Sequence, residues 1–261
     1  MANTILDKLS DYAKYRVSQN KKLHSYEDIR REAESLQKGN FEFELALKNP
    51  GLSFICECKK ASPSKGLISP DFPFLEIAKS YEEAGADCIS VLTEPKWFLG
   101  SDDYLKAIAE NVKIPCIRKD FTVDEYMIFE AKLLGAKAVL LICSILDKSQ
   151  LKEYLAICDT LGISALVEAH DENEIETSLD ISARIIGVNN RNLKNFSIDT
   201  NNSRKLRKLV PGNVLFVSES GISSPEDIKS IKDFGADAVL IGEYLMKCED
   251  KKKLLSELKM I

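Results

Sequence analysis

Two ionisable side chains stand at the end of the first strongly apolar run, where Glu57 and Lys59 follow residues 52–55. Side chains two apart in a strand lie on one face, so a strand here would point both groups the same way. Burying a carboxylate and an ammonium is costly unless they are paired or solvated in a cavity. The pattern therefore predicts a polar pocket at this strand end, and a surface ion pair is the alternative.

Polar residues also follow the later apolar runs. They are Thr93 and Glu94, then Arg118, Lys119 and Asp120, then Glu168 and His170, then Asn189, Asn190 and Arg191, then Ser218, Glu219 and Ser220, and finally Glu243. The same asymmetry at so many ends favours one convergent catalytic pocket over separate solvated strand ends. There, low dielectric and nearby cations would lower a lysine pKa, and crowded carboxylates would raise each other's pKa values. Such shifts would prepare lysine as a general acid and glutamate as a general base near neutral pH.

Two Gly-containing turns follow the seventh and eighth apolar runs, at Ser220-Gly221 and at Gly242-Glu243. Parallel barrels frequently bind phosphate with backbone N–H groups from the loops at these two places. Glycine lets the backbone approach a ligand closely. The pair therefore favours a phosphate site, although either glycine alone could mark a tight turn.

Two further segments are candidates for the wall of the pocket. Residues 61–71 are rich in Ser, Pro and Gly without helical or strand period, which predicts a long loop over the pocket. Trp97 and Phe98 could form an apolar wall for an aromatic substrate. A role for both aromatic residues in the protein core is an equal alternative.

The elements that must position these groups recur along the chain. A helical segment ends in Gly, and a short apolar strand follows at once, as at Gly85, Gly135, Gly162 and Gly235. About eight such strands occur at a spacing of roughly 25 residues, and their continuous apolar character is typical of parallel strands covered on both faces. One helix shows a clear apolar stripe at Val123, Met127, Ala131 and Leu134. The pattern predicts an α/β fold, a (β/α)8 TIM barrel; a doubly wound open sheet is the alternative.

The first 40 residues lie outside this repeat and are predicted to form an N-terminal helical extension. One helical stripe runs through Ile5, Leu9, Tyr12 and Tyr15 or Arg16. A second runs from Tyr26 through Ile29, Ala33 and Leu36, opened by Ser25 as a cap with Asp28 three residues on. We therefore expect residues 1–261 to form a single barrel domain, of which 1–40 is the extension.

Composition limits the function classes. The chain has 261 residues with 44% apolar and 30% charged residues, which is typical of a globular protein. Its net charge of -5 argues against general nucleic-acid binding, but a small anionic ligand remains possible at a local positive cluster. No apolar run approaches the length of a membrane span, so we expect no membrane association.

Cysteine and histidine usage bears on metal sites and on location. The seven cysteines are an odd number without a Cys-x-x-Cys pair, and most lie in apolar runs. This usage predicts reduced packing residues in a cytoplasmic protein. With only His24 and His170 available, we expect no structural zinc site.

Several motifs in order resemble those of the indole-3-glycerol phosphate synthase family, from about Phe41 to the C-terminus. They are ECKKASPSKG at 57–66, SVLTE at 90–94, RKDF at 118–121, LVE at 166–168, GVNNRNL at 187–193 and SESGI at 218–222. The resemblance implies a decarboxylating lyase of tryptophan biosynthesis that needs neither metal nor organic cofactor. It implies 1-(2-carboxyphenylamino)-1-deoxyribulose 5-phosphate as substrate, and indole-3-glycerol phosphate, CO2 and water as products.

The resemblance also implies roles for individual residues. Lys119 would be the general acid for ring closure and Glu168 its acid/base partner, with Glu57 and Lys59 assisting dehydration. Asn189, Glu219 and Arg191 would orient hydroxyl and carboxylate groups, and Phe98 would pack on the anthranilate ring. Around the phosphate the resemblance implies Lys59, Ser62, Ser220, Gly221, Gly242 and the backbone of Glu243. The carboxylate of Glu243 would repel the phosphate unless its side chain turned outward.

Three points stay open at the level of sequence. Which of Lys59 and Lys119 serves which step is not decided by the motifs. A barrel aldolase that forms a Schiff base on Lys119 is the alternative enzyme, and a non-catalytic binder of phosphorylated aryl ligands is the alternative of another class. Association with other enzymes of the tryptophan pathway is possible.

Overall fold

Eight parallel strands close into a barrel in the computed structural model, which describes residues 4–192 and 196–261. The strands are β1 Ser53–Cys58, β2 Cys88–Leu92, β3 Cys116–Lys119, β4 Ala138–Ile142, β5 Ser164–Ala169, β6 Ile185–Asn189, β7 Leu215–Glu219 and β8 Ala238–Ile241. Neighbours in sequence are neighbours in the barrel, and β1 closes it by pairing with β8. The predicted (β/α)8 fold is confirmed.

Helices surround the barrel and precede it. They are α1 Ile5–Leu23, α2 Tyr26–Ser35, α3 Glu42–Leu47, α4 Phe74–Glu83, α5 Asp102–Asn111, α6 Tyr126–Leu133, α7 Lys148–Leu161, α8 Glu172–Asp180, α9 Asn201–Arg207, α10 Pro225–Asp233, α11 Glu243–Lys247 and α12 Lys251–Lys259. The four glycines predicted at helix ends all have positive φ, for example +69° at Gly162 after α7. This left-handed conformation suits Gly and ends each helix just before the next strand.

The strands are buried along nearly their whole length, as their continuous apolar sequences predicted. Polar side chains nevertheless enter the barrel wall at the carboxyl ends. Lys119, Asn189 and Glu219 are the last residues of β3, β6 and β7, and Glu57 is the last but one of β1. Strand pairing therefore fixes the backbone of these polar residues rigidly.

The N-terminal extension is helical as predicted, but its buried face differs from the predicted stripe. Ser25 caps α2, since its Oγ accepts a hydrogen bond from the backbone N–H of Asp28 at 3.1 Å. In α1 the buried apolar residues are Leu6, Leu9, Ala13 and Val17, whereas Tyr15 is exposed. Of the two alternatives for the last position of the stripe, Arg16 is the one that faces the barrel, where it donates to Asp120. The short α3 was not predicted.

The helix α6 is not amphipathic, although the sequence stripe predicted one apolar face. It is buried on nearly all sides, because α2 packs across its outer surface. The rings of Tyr26 and Phe129 meet edge to face, with centroids 6.0 Å apart. The hydroxyl of Tyr126 donates to the carbonyl of His24 at 3.2 Å. The extension thus adds a third layer to one side of the barrel.

The loop after β1 is more ordered than the sequence indicated. Residues 61–71 were predicted to lack secondary structure, but Ala61–Ser62 pairs antiparallel with Gly66–Leu67. Beyond this pair, the backbone N–H groups of Ile68 and Ser69 both donate to the carbonyl of Lys60. These bonds fold the loop back towards the end of β1.

Two expectations from composition concern cysteines and membrane spans. All seven cysteines are free, and five are buried, which confirms the prediction of packing residues for those five. Burial raises the pKa of the Cys116 thiol to about 12, so it stays protonated and unreactive at neutral pH. Within residues 4–192 and 196–261, no helix is long and apolar enough to cross a membrane.

Candidate active site

A cavity of 380 Å³ opens at the carboxyl ends of the barrel strands. All thirteen residues that the sequence singled out for catalysis or substrate binding line it. They come from five strands and from segments that follow strands, so the barrel brings together side chains far apart in sequence. Their individual roles stay predictions.

The partly buried ammonium of Lys119 lies between two buried carboxylates at the centre of this cavity. Lys119 Nζ is 3.4 Å from Glu219 Oε2 and 3.6 Å from Glu168 Oε2. A second pair lies beside it, where Lys59 Nζ contacts Glu57 Oε2. The other oxygen of Glu57 accepts a hydrogen bond from Ser90 Oγ at 3.4 Å. Three carboxylates therefore share the cavity centre with two lysines.

This excess of carboxylates overturns one expectation about the lysines. Burial alone would lower the pKa of Lys119, but the charges of Glu219, Glu168 and Glu57 outweigh it and raise that pKa well above its usual value. The predicted lowering of a catalytic lysine pKa was wrong for Lys119. The sequence suggested neighbouring cations, whereas its nearest charged neighbours are anions.

The surroundings shift the pKa values of Glu219 and Glu57 in opposite directions. Burial raises the pKa of Glu219 to about 7; the charge of Lys119 opposes this effect, and Glu168 and Glu57 reinforce it. Burial also acts on Glu57, but Lys59 and Lys119 outweigh it and lower the pKa of that carboxyl. The expected mutual raising of carboxylate pKa values is thus confirmed for Glu219 and wrong for Glu57.

His170 holds the far side of Glu168. Its Nε2 lies 3.5 Å from Glu168 Oε1, and its Nδ1 lies 3.2 Å from Glu174 Oε2. Burial would lower the pKa of His170, but hydrogen bonding to Glu174 and the charge of Glu168 raise it. Glu168 is therefore held by a lysine on one oxygen and by a histidine on the other. The sequence placed His170 at this strand end without a role.

The two turns predicted for phosphate are shaped by different constraints. Gly221 has φ +84°, and a Cβ there would lie 2.7 Å from the side-chain methyl groups of both Ile198 and Thr200. A Cβ on Gly242 would lie 2.7 Å from Glu57 Oε2, so this glycine makes room for the carboxylate. Glycine is thus required at both turns by the protein itself.

A cluster of charges occupies the rim beside these turns. Glu243 Oε1 lies 2.7 Å from Lys247 Nζ and 3.7 Å from Lys65 Nζ, and its Oε2 lies 3.8 Å from Arg191 Nη2. Arg191 also donates to Ser64 Oγ at 3.3 Å, which ties the loop after β1 to the rim. The Glu243 side chain is among those lining the cavity and is not turned away from it.

Of the two aromatic residues predicted as a wall, only Phe98 lines the cavity, beside Phe121 at a centroid distance of 6.1 Å. Trp97 lies outside it and meets Tyr12 of α1 edge to face at 5.6 Å, so for Trp97 the alternative of packing against the protein core holds. The carboxylate of Glu94 accepts the backbone N–H groups of residues 96–98 at 2.7–2.9 Å. Glu94 thus shapes the segment that presents Phe98.

Other strand-end residues serve the attachment of the extension. Arg16 of α1 donates two hydrogen bonds to Asp120 at 2.6 and 3.1 Å, and Thr93 donates to the same carboxylate at 2.6 Å. Arg118 contacts Asp102 at 2.8 Å and Glu130 at 2.7 Å. Burial opposes ionisation of Asp120, but Arg16 and Arg118 lower the pKa of that carboxyl.

The sequence missed the contribution of α1 to the cavity. Ile5 and Leu9 line it, and no local pattern connects this helix to strand ends more than 40 residues away. The apolar spacing identified Ile5 and Leu9 as one face of a helix but not what that face would meet. Phe121, directly after the RKDF aspartate, was within a quoted motif and could have been added.

Comparison with known proteins gives the family. The family model described as indole-3-glycerol phosphate synthase matches residues 6–258. The chain belongs to the indole-3-glycerol phosphate synthase family. This match confirms the family that the motifs suggested. Leu193, the last residue of the GVNNRNL motif, lies outside the described residues.

Curated relatives agree along nearly the whole chain. The indole-3-glycerol phosphate synthase of Ruminiclostridium cellulolyticum is 56% identical over 256 residues, covering 98% of this chain and 98% of that protein. Those of Endomicrobium trichonymphae and Lachnoclostridium phytofermentans are 54% and 49% identical, covering 98% of this chain and 99% of each relative. The predicted indole-3-glycerol phosphate synthase activity, a decarboxylating lyase reaction of tryptophan biosynthesis, is confirmed.

A solved structure also matches, at low identity. Thiamine phosphate pyrophosphorylase from Pyrococcus furiosus superposes with a TM-score of 0.62 at 15% identity, covering 84% of this chain and 96% of that chain. At that identity the likeness concerns the barrel fold alone. The assignment of activity rests on the family and the curated relatives.

Proposed function

We propose a division of labour among the cavity residues for the synthase reaction, in which 1-(2-carboxyphenylamino)-1-deoxyribulose 5-phosphate gives indole-3-glycerol phosphate, CO2 and water. The observation that carries the proposal is the position of Lys119 between the buried carboxylates of Glu168 and Glu219. A cation between two buried carboxylates stays protonated at neutral pH, so Lys119 is available as a proton donor to a ligand in the cavity.

Ring closure is the step assigned to Lys119. The aryl carbon that bears the carboxylate attacks the ketone carbon, and the ketone oxygen gains negative charge as the carbon–carbon bond forms. Lys119 Nζ donates a proton to that oxygen, which becomes a hydroxyl group. Its raised pKa makes Lys119 a weak acid, but an alkoxide is a stronger base than an amine, so the transfer still runs downhill.

Loss of CO2 then restores the aryl ring, and loss of water completes the indole. Dehydration needs an acid for the departing hydroxyl and a base for a ring proton. We assign Glu168 as the acid/base partner, supported by its contacts with Lys119 and His170 on opposite oxygens. The adjacent pair of Glu57 and Lys59 assists dehydration and keeps the charge network in place.

The remaining cavity residues bind and orient the substrate. Phe98 packs on the anthranilate ring, while Asn189, Glu219 and Arg191 orient hydroxyl and carboxylate groups. The phosphate lies among Lys59, Ser62, Ser220, Gly221, Gly242 and the backbone of Glu243. Support comes from the arrangement of these residues around one cavity of a size suited to a small ligand.

A Schiff-base aldolase, the alternative enzyme, needs a neutral amine on Lys119. The raised pKa of Lys119 keeps that amine protonated, which disfavours nucleophilic attack. Borohydride in the presence of substrate should therefore trap no adduct on Lys119. A non-catalytic binder would have no use for two lysines matched to three carboxylates at the cavity centre.

The test follows indole fluorescence as it appears from the aryl-aminodeoxyribulose phosphate. Lys119→Met removes the proton donor while keeping the length of the side chain, and kcat should fall by about 10²–10⁴. The matched control is Lys132→Met, because Lys132 is also buried but hydrogen-bonds to the carbonyls of Gln37 and Leu161 outside the cavity. Circular dichroism would check folding. Near-normal turnover by folded Lys119→Met would overturn the assigned role.

Three broader expectations belong to the same proposal. We propose that residues 1–261 form a single domain with 1–40 as its helical extension. We also propose a cytoplasmic location, since seven unpaired cysteines suit a reducing compartment. Association with other enzymes of tryptophan biosynthesis is proposed from the family alone, and co-purification with those enzymes would test it.

A further inference from the structure

The cavity rim holds a carboxylate where a phosphate is proposed to bind. Glu243 is surrounded by Lys65 from the loop after β1, Arg191 from the loop after β6, and Lys247 from its own helix. All four side chains line the same cavity. Burial opposes ionisation of Glu243, but Lys247, Lys65 and Arg191 outweigh it and lower the pKa of that carboxyl. The rim therefore carries three cations and one anion at neutral pH.

The contacts within this cluster are uneven. Lys247 is one helical turn from Glu243, and their close pair is an ordinary (i, i+4) contact within α11. Lys65 and Arg191 come from two other elements, and their distances of 3.7 and 3.8 Å exceed those of well-formed hydrogen bonds. Such partly exposed, long ion pairs are weak and exchange readily. A function confined to stabilising α11 would not need these two cations.

A phosphate bound beside Ser220, Gly221 and Gly242 would compete with this carboxylate for the same donors. A phosphate dianion offers more charge and three acceptor oxygens, so it is the better partner for Arg and Lys. We infer that the Glu243 carboxylate is an internal counter-ion that competes with the ligand phosphate for Lys65 and Lys247, and thereby limits the affinity for substrate and product. The inference rests on the proposed phosphate-binding role of this rim.

The consequence for turnover follows from where the competition acts. Substrate and product carry the same phosphate, so Glu243 weakens the binding of both by a similar factor. Uniform tightening of ground state and transition state lowers KM without raising kcat, and it slows product release. A carboxylate at the rim therefore favours release of indole-3-glycerol phosphate at the expense of affinity.

The experiment compares wild type with Glu243→Gln, which removes the charge and keeps the shape. Isothermal titration with indole-3-glycerol phosphate should show a Kd lower by about five- to thirtyfold in the variant, because one charge next to a dianion is removed from a partly exposed site. The dephosphorylated ligand indole-3-glycerol should bind both proteins equally. Glu243→Ser, which lacks both charge and bulk, should show the same tightening for the phosphorylated ligand.

The control is Glu83→Gln, which also removes one negative charge. Glu83 pairs with Lys252 on the surface, away from the cavity. The product Kd of Glu83→Gln should match wild type. The inference is overturned if wild type binds the product but neither Glu243 variant binds it more tightly. It is also overturned if the Glu243 variants bind indole-3-glycerol more tightly than wild type by the same factor as the product. A wild-type protein that neither binds the product nor turns over the aryl substrate would instead overturn the proposed function, and the inference with it.

Discussion

Replacing Glu219 by glutamine should stabilise the folded protein at about pH 8.5 and have much less effect at about pH 5. Glu219 is buried beside Glu168 and Glu57, and its pKa is raised from 4.5 to about 7. The folded state therefore binds this proton more tightly than the unfolded chain does. The contribution of this carboxyl to the free energy of unfolding is complete below its pKa of about 4.5 in the unfolded chain. It is lost as the pH rises through its folded pKa of about 7.

The size of the loss follows from the shift. A difference of about 2.5 pKa units corresponds to about 3 kcal/mol above pH 7, and to about 1 kcal/mol near pH 5. Glutamine stands in for the protonated carboxyl, so the variant escapes this loss. For a chain of this length, about 3 kcal/mol raises Tm by roughly 6–10 °C.

The assay is urea unfolding followed by circular dichroism at both pH values, for wild type, Glu219→Gln and Glu83→Gln. The exposed Glu83 pair should contribute less than about 1 kcal/mol at either pH. A Glu219→Gln protein that is no more stable than wild type at pH 8.5 would refute the reasoning. So would an equal gain at both pH values, because a titrating carboxyl cannot produce it. Glu219→Gln should also lose activity, because substitutions that stabilise a functional site commonly reduce its function.

Two further substitutions test how the surroundings hold the cavity. Gly187→Ala places a Cβ 2.1 Å from Glu219 Oε1, so that carboxylate must leave its present position beside Lys119. We expect kcat in the fluorescence assay to fall at least about tenfold, with Ala183→Gly as a substitution of similar size outside the cavity. Arg16→Met removes one of the two cations beside the buried Asp120 carboxylate, and the free energy of unfolding should fall by about 3–5 kcal/mol. A loss below about 1 kcal/mol would show that Arg118 alone balances the charge of Asp120.

Much of the fold and the membership of the site could be predicted because a barrel converts strand order into position. In a barrel of eight parallel strands, the polar residues that follow the strands all lie at the carboxyl-end rim. Glu57, Lys119 and Glu219 lie more than 60 residues apart along the chain, yet all three line the cavity. The resemblance to the family then implied a substrate and individual roles for residues that the strand pattern had already indicated.

Other features depended on contacts that no local pattern encodes. The docking face of α1 is set partly by the bonds between Arg16 and Asp120, more than 100 residues apart. The pKa direction of Lys119 depends on which charges lie within a few ångströms, and the sequence indicated the residue types but not their distances. Trp97 and Phe98 are adjacent in sequence, but the turn that Glu94 shapes sends their side chains to different places.

The contact between Trp97 and Tyr12 equips the protein with an optical probe of its own. Trp97, the single tryptophan of the chain, follows β2 and packs against Tyr12 of α1, outside the cavity. The ammonium of Lys96 lies 4.5 Å from the centre of its ring. Its emission should therefore respond when α1 separates from the barrel, and excitation near the red edge of tryptophan absorption could follow that undocking without any added label.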